Sequence, residues 1–182
     1  ALVTFEAEVA CVQAVQRAQL ALVSDKRCAE KDDGRGHEPS DLLARGHGCC
    51  FDRARFIEVA LRRYGFETRH LIVHYIESFP LDYLKSGVGS HALSEVKTQK
   101  GWMLVDSLEP FVGVDERGRV FDAVALRDAR TDASDPRFLA AVPKNLDKDY
   151  RVAYGLYSRH GRFFPPKVPL PDIRWSEFMA NL

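Results

Sequence analysis

Cys49 and Cys50 follow a glycine-broken turn, Gly46-His47-Gly48, and open a segment of helical apolar periodicity. A cysteine in the first turn of a helix faces unpaired backbone N–H groups and the positive end of the helix dipole. Both favour thiolate over thiol, so the position suits a nucleophile. It also suits a small buried apolar residue, since free cysteine is among the most buried residue types. A histidine and an aspartate farther along supply what a nucleophile needs. Ser90–Lys97 and Gly101–Ser107 read as two short strands joined by Thr98-Gln99-Lys100. A turn centred between Thr98 and Gln99 sets His91 opposite Asp106, Leu93 opposite Leu104 and Glu95 opposite Trp102. Opposite residues share a face, with Cβ atoms about 4.5–5.5 Å apart. An aspartate beside a histidine fixes the imidazole tautomer and stabilises the imidazolium. A helix-start cysteine, Cys49 or Cys50, with His91 and Asp106 is therefore the candidate catalytic set, with Glu95 and Asp52 as alternative carboxylates. Asp52 also has an ordinary reading, a carboxylate in the first turn of a helix. His47, Cys49, Cys50 and His91 make a poor metal set, because adjacent cysteines lack the C-x₂₋₄-C loop that wraps zinc.

These groups must be held by recognisable elements. After Cys50, residues Ala54, Ile57, Leu61 and Tyr64 recur at spacings of four, three, four and three, one apolar stripe of a helix. Asp52, Arg53, Arg55, Glu58, Arg62 and Arg63 fall mostly off it, and Gly65 ends it. Residues 3–23 read as an earlier helix whose apolar face is Val3, Ala7, Ala10, Cys11, Ala14, Val15, Ala18 and Leu22. Residues 25–39, with Cys28 and His37, read as a solvated loop. Ser40-Asp41 caps a short turn, Leu42–Arg45. Residues 67–76 are β-branched and aromatic, a strand on which His70 and His74 share a half-exposed face. Residues 77–89 read as a loop. Beyond Pro110, Val112–Val114, Arg119–Phe121 and Arg151–Tyr157 read as further strands, and Asp135–Ala141 as a helical turn. The proline-rich stretch Phe163–Pro171 must be extended, a strap along the domain, and Trp175, Phe178, Met179 and Leu182 form an apolar face that docks on the core.

A chain of 182 residues with 46% hydrophobic and 29% charged residues fits one soluble globular domain, residues 1–182. Lys+Arg and Asp+Glu are 26 each, so no basic surface argues for nucleic acid or an anionic membrane. No apolar run approaches the ~18 residues of a membrane span. Glu6, Glu8, Gln13, Gln16, Arg17 and Gln19 interrupt the first 22 residues, so they are no signal-peptide core, although a removed leader stays open. Cysteines at 11, 28, 49 and 50 do not resemble a disulfide framework, and a reducing, cytoplasmic setting is the simpler expectation.

Gly48-x-Cys50-x-Asp52-x-Ala54, the stretch Gly65-Phe66-Glu67-Thr68-Arg69, Ser90-His91-Ala92 with Glu95-Val96, then Gly101-Trp102 and Val105-Asp106 together resemble the transglutaminase-like core. The resemblance covers residues 46–108; the N-terminal helix and residues 110–182 lie outside it. It implies an α+β, papain-like fold, with a helix carrying the cysteine at its start packed on an antiparallel sheet carrying His and Asp. It assigns the nucleophile to Cys50 rather than Cys49, since the family pattern is Gly-x-Cys, and it matches Arg69 to a frequent family arginine. Leu93 stands where the family often has an aromatic, and Ser107 where it often has proline. The implied chemistry is amide-bond attack through an acyl-thioester, with the Cys50 N–H in the oxyanion hole and a peptide, protein or small amide as substrate. Hydrolysis is expected ahead of acyl transfer to an amine, because water needs no second pocket. A non-catalytic binding module on the same fold is the alternative from another class. No cofactor is implied, and no acidic loop of EF-hand type suggests calcium.

Overall fold

Thr4 begins the first helix, α1 (Phe5–Leu22), by accepting the Ala7 N–H on its hydroxyl at 3.2 Å. In the computed structural model, which describes residues 4–25, 36, 38–75, 89–132 and 136–154, eight further elements follow. They are α2 (Pro39–Arg45), α3 (Cys50–Arg63), β1 (Thr68–His74), β2 (Ser90–Thr98), β3 (Gly101–Val105), α4 (Ala123–Asp132), α5 (Pro136–Ala141) and β4 (Arg151–Tyr154). The four strands form one antiparallel sheet in the order β3-β2-β1-β4. The class is α+β, as expected. The expectations for Cys28, His37, most of the 77–89 loop, the proline-rich strap and the amphipathic end fall outside the described residues.

Three sequence expectations about α1 to α3 need correction. The buried face of α1 is Phe5, Val12, Val15, Gln16 and Gln19, rotated away from the alanine stripe; Leu22 is exposed. Alanine buries little area, whereas the two glutamines donate to buried backbone carbonyls of the segment after β3. In α2, Glu38 rather than Ser40 is the N-cap, with Pro39 at the first helical position and the Glu38 N–H bonded to Asp41 at 3.1 Å. In α3, Ala54, Ile57 and Leu61 of the stripe are fully buried as predicted, but its last member, Tyr64, is 64% exposed, and Asp52, Arg53, Arg55 and Glu58 are buried as well. The helix is covered around much of its girth, so periodicity alone underestimates its burial. Gly65, at φ +88°, ends it in the left-handed conformation that glycine adopts without cost.

The sheet is covered on both faces. Ala92 joins Ala54 and Ile72, and Val96 joins Ile57, Leu61 and Met103, so α3 packs on that face of β2. Leu93 belongs to the other face, with Leu71, Leu104, Phe121, Leu126 and Phe138. His70 and His74, read as half-exposed, are both buried. His70 Nδ1 meets Glu58 Oε1 of α3 at 2.7 Å, and the Ser94 hydroxyl donates to the same oxygen at 3.0 Å, pinning helix to sheet.

The hairpin register also differs from expectation. Thr98 pairs with Gly101, Lys97 with Trp102, Glu95 with Leu104 and Ser94 with Val105, so the turn is Gln99-Lys100. Gly101 takes φ +122°, and the Thr98 hydroxyl accepts the Lys100 N–H at 3.2 Å while donating to the Gly101 carbonyl at 2.8 Å. Those bonds move the turn one position along. The pairing shifts by two residues, which preserves the face of every side chain. Val112 and Val114 make isolated bridges to Val105 and Val120 in place of full strands, and β4 ends the sheet against β1.

Candidate active site

Cys50 is the first residue of α3, delivered by the Gly46–Gly48 turn. Gly46 stands at φ +71°, and the Gly48 N–H donates to the Ser24 carbonyl at 2.9 Å, which ties the turn to the end of α1. Asp52 accepts the Cys49 N–H at 3.0 Å and lies 3.4 Å from Arg45, so its carboxylate fastens the helix start. That is the ordinary reading of Asp52, and it removes Asp52 as an orienter of histidine. Cys50 and Phe51 pack against Ala54, Ile72 and Ala92, which brings the thiol to the beginning of β2.

There the three predicted residues meet. His91 Nε2 lies 3.0 Å from Asp106 Oδ1, both side chains buried. Asp106 sits just past the end of β3, on the diagonal from His91 rather than directly opposite it; the preserved parity keeps them on one face. With Nε2 taken by Asp106, Nδ1 is the ring nitrogen left to face Cys50. Burial opposes charge on the thiol, yet hydrogen bonding to His91, its positive charge and the backbone N–H groups of Ala92 and Phe51 bring the Cys50 pKa below that of an ordinary thiol. Burial likewise opposes charge on the ring, but Asp106 and Cys50 outweigh it and raise His91 to about 9. Both shifts run in the direction of a thiolate–imidazolium pair, with the Asp106 carboxylate behind the ring.

Glu95, the other alternative, is occupied elsewhere. It receives Arg69 Nε at 2.6 Å and the Ala123 N–H at 2.8 Å. Arg69 is stacked between Trp102 and Tyr154, 4.2 and 4.3 Å from the ring centroids. It clamps β1, β2, β3 and β4 together and lies away from the thiol's partners.

Cys49 is disulfide-bonded, while Cys11 and Cys50 are free thiols. This corrects the reading of the cysteines as reduced, and the argument from them to a reducing compartment falls with it. Cys11 is half-buried against the α1–α3 core. Among the described residues, no group of three or more His, Cys, Asp or Glu side chains is placed to hold a metal. No helix of the described residues is long and apolar enough to cross a membrane.

Several site residues were missed from sequence. Gln16 of α1 donates its amide to the carbonyls of Asp106, Glu109 and Phe111 at 2.8, 3.1 and 2.7 Å, locking the corner that carries Asp106. Gln19, its amide nitrogen toward Ser107 O at 3.3 Å, accepts Arg53 Nε at 2.7 Å. Leu108 N–H donates to Asp106 Oδ1 at 2.7 Å, and Asn145 Nδ2 lies 3.4 Å from Oδ2. Tyr75, just after β1, has its phenol pushed up to about 12 by burial and by the charges of Asp106 and Cys50. Gln16 and Gln19 did carry a signal, two long polar side chains one turn apart in an alanine-rich helix. Asn145 carried none.

A thiol at a helix start, set against a histidine and a carboxylate on an antiparallel sheet, defines a papain-like α+β core. Residues 4–107, more than half of the chain, match the family model of the transglutaminase-like superfamily (Transglut_core), and the chain belongs to that superfamily. Its chemistry is generally cysteine-based. The match begins before the expected 46–108 and takes in α1, in keeping with the bonds α1 makes to the Asp106 corner. Neither the curated proteins nor the solved structures gave a match.

Proposed function

We propose that this protein is a cysteine-nucleophile amide-bond enzyme, a peptidase or amidase, with Cys50, His91 and Asp106 as its catalytic triad. The observation that carries the reading is the opposed displacement of the Cys50 and His91 proton affinities at a site where Asp106 holds the second ring nitrogen. The Cys50 thiolate attacks the amide carbonyl carbon, and the C–S bond forms as the carbonyl π electrons move to oxygen. The Cys50 N–H, which has no acceptor among the described residues, is one donor for that oxyanion. Collapse breaks the C–N bond, and imidazolium His91 gives its proton to the departing amine. Neutral His91 then takes a proton from water as the water oxygen attacks the thioester. The C–S bond breaks, and acid and thiolate are released. Asp106 positions the ring and balances its charge throughout.

The test is an amide panel incubated with and without a primary amine, read by amine release and intact mass, with Cys50→Ala as control. Release without added amine, abolished by Cys50→Ala, is the expected result. A Cys50 thioester that persists until amine arrives would replace hydrolysis with acyl transfer. No thioester and no turnover across the panel would make the fold a binding module.

A further inference from the structure

Arg53 of α3 is 3% exposed. A buried guanidinium is normally paired, because taking its charge out of water costs free energy that only a partner offsets. Here Nε is bonded to Gln19 at 2.7 Å, while no hydrogen bond or ion pair among the described residues engages the two terminal nitrogens. Those nitrogens are not sealed in protein. Arg53 lines a cavity of about 420 Å³ with Leu20, Val23, Asp25, Leu108 and Pro110, a volume within the range of ligand sites. Burial is the largest influence on the guanidinium and lowers its pKa. The negative charges of Asp25, Asp106, Cys50 and Glu109 act on it through space and do not make up the difference. The fork still lacks an acceptor in direct contact, and a carboxylate matches its geometry.

A simple anion would meet the wrong surroundings on its other side. The cavity lies at the C-terminal end of α1, with Leu20, Ala21 and Leu22 in its wall. The carbonyls of a last helical turn lack helical partners and carry partial negative charge. Asp25, exposed at the rim, adds a full negative charge. These groups attract a cation. The cavity therefore sets a donor fork for a carboxylate beside a negative rim for an ammonium, and a ligand of one charge sign uses only one of the two. The side chains of Leu20, Val23, Leu108 and Pro110 supply an apolar wall. We propose that this cavity binds a free α-amino acid with an aliphatic side chain, its carboxylate on the Arg53 terminal nitrogens and its ammonium toward Asp25 and the α1 carbonyls. None of Cys50, His91 and Asp106 lines the cavity, so the site stands apart from the triad and does not depend on amide turnover.

The probe is L-leucine, titrated to millimolar concentration into the full chain under ¹H–¹⁵N NMR. Two analogues run beside it: isocaproate, which is leucine without its ammonium, and isoamylammonium, which is leucine without its carboxylate. Leucine should shift the backbone amides of Asp25, Gly46 and Leu108, and each analogue should bind about tenfold or more weakly. Arg53→Met should raise the leucine dissociation constant about tenfold or more, as for loss of a charge-assisted hydrogen bond. Arg53 is buried and its replacement could unfold the chain, so Asp25→Asn, at an exposed position, gives a second reading. There leucine should weaken about two- to fivefold, as for loss of a solvent-screened ion pair, while isocaproate should not weaken. No shift with leucine would overturn the site, as would leucine binding unchanged by Asp25→Asn or by a folded Arg53→Met. Isocaproate binding as tightly as leucine would replace it with an anion site, and isoamylammonium doing so would replace it with a cation site.

Discussion

Replacing Asp106 with asparagine removes one charge and little else. The Leu108 N–H, 2.7 Å from Oδ1, needs an acceptor, so the new amide oxygen stays at that position and still receives His91 Nε2–H. The new NH₂ would then face the Asn145 NH₂, 3.4 Å away, donor against donor. Asn145 has a remedy: its Oδ1 is buried with no partner, and an amide rotation presents it. Fold and tautomer should survive, which isolates the charge. His91 stands at about 9 against an ordinary 6.5, a preference for the charged ring of about 3 kcal/mol at 1.36 kcal/mol per pH unit. Burial opposes that preference; Asp106 heads the groups that create it, and Cys50 supplies the rest. Asp106→Asn should therefore lower the His91 titration by about 1–2 pH units and slow Cys50 alkylation at pH 7 by about 10–100-fold. NMR titration of the His91 ring and iodoacetamide kinetics read the two effects independently of any substrate. A ring that still titrates near 9 in a folded variant would refute the assignment of Asp106.

Iodoacetamide without reductant should modify Cys50 rapidly at neutral pH and leave Cys49 untouched until reductant is added; mass spectrometry showing the reverse order would move the nucleophile by one residue. Turnover should have its basic limb near pH 9, because His91 serves as the acid only below its raised pKa, and a profile that keeps climbing through pH 10 would remove His91 from that role. Gln16→Leu removes three side-chain hydrogen bonds at the Asp106 corner, although the Glu109 and Phe111 carbonyls keep a backbone N–H each, and should cost about 1–3 kcal/mol, read as several degrees in Tm, with a larger fractional loss of Cys50 reactivity than an equally destabilising core substitution elsewhere. In Asn145→Asp the introduced carboxyl can donate to Asp106 only while protonated, so Cys50 reactivity relative to the unsubstituted protein should fall as pH rises from 5 to 8; a ratio independent of pH would make Asn145 merely structural.

The residues that meet at the site were legible because each belongs to a strong local pattern: a glycine turn before a helix for Cys50, and alternating strands for His91 and Asp106. The fold class followed from the same patterns and from the family resemblance. The hairpin register was misread by two residues, since the Gly101 conformation and the Thr98 hydroxyl set the turn and neither alters apolar alternation. Face parity survived that error, which is why His91 and Asp106 still meet. The face of α1 was misread because hydrophobic periodicity counts a buried glutamine as a polar interruption, and only the tertiary fold shows the carbonyls it serves. Asn145 and β4 reach the site and sheet from more than thirty residues beyond Asp106, a distance over which local pattern carries no pairing information.

The pairing of β4 with β1 places a limit on where the chain can be cut. The superfamily match ends at residue 107, yet Leu71, Ile72, Val73 and His74 find their outer ladder partners in residues 151–154. A fragment stopped at the end of the match would leave β1 as an unprotected apolar margin, a template onto which the same strand of another fragment could zip. It would also lose Phe121, Leu126 and Phe138, which roof the Leu71–Leu104 side of the sheet. Such a fragment should sediment as oligomers or precipitate, even though it contains Cys50, His91 and Asp106, the proposed triad.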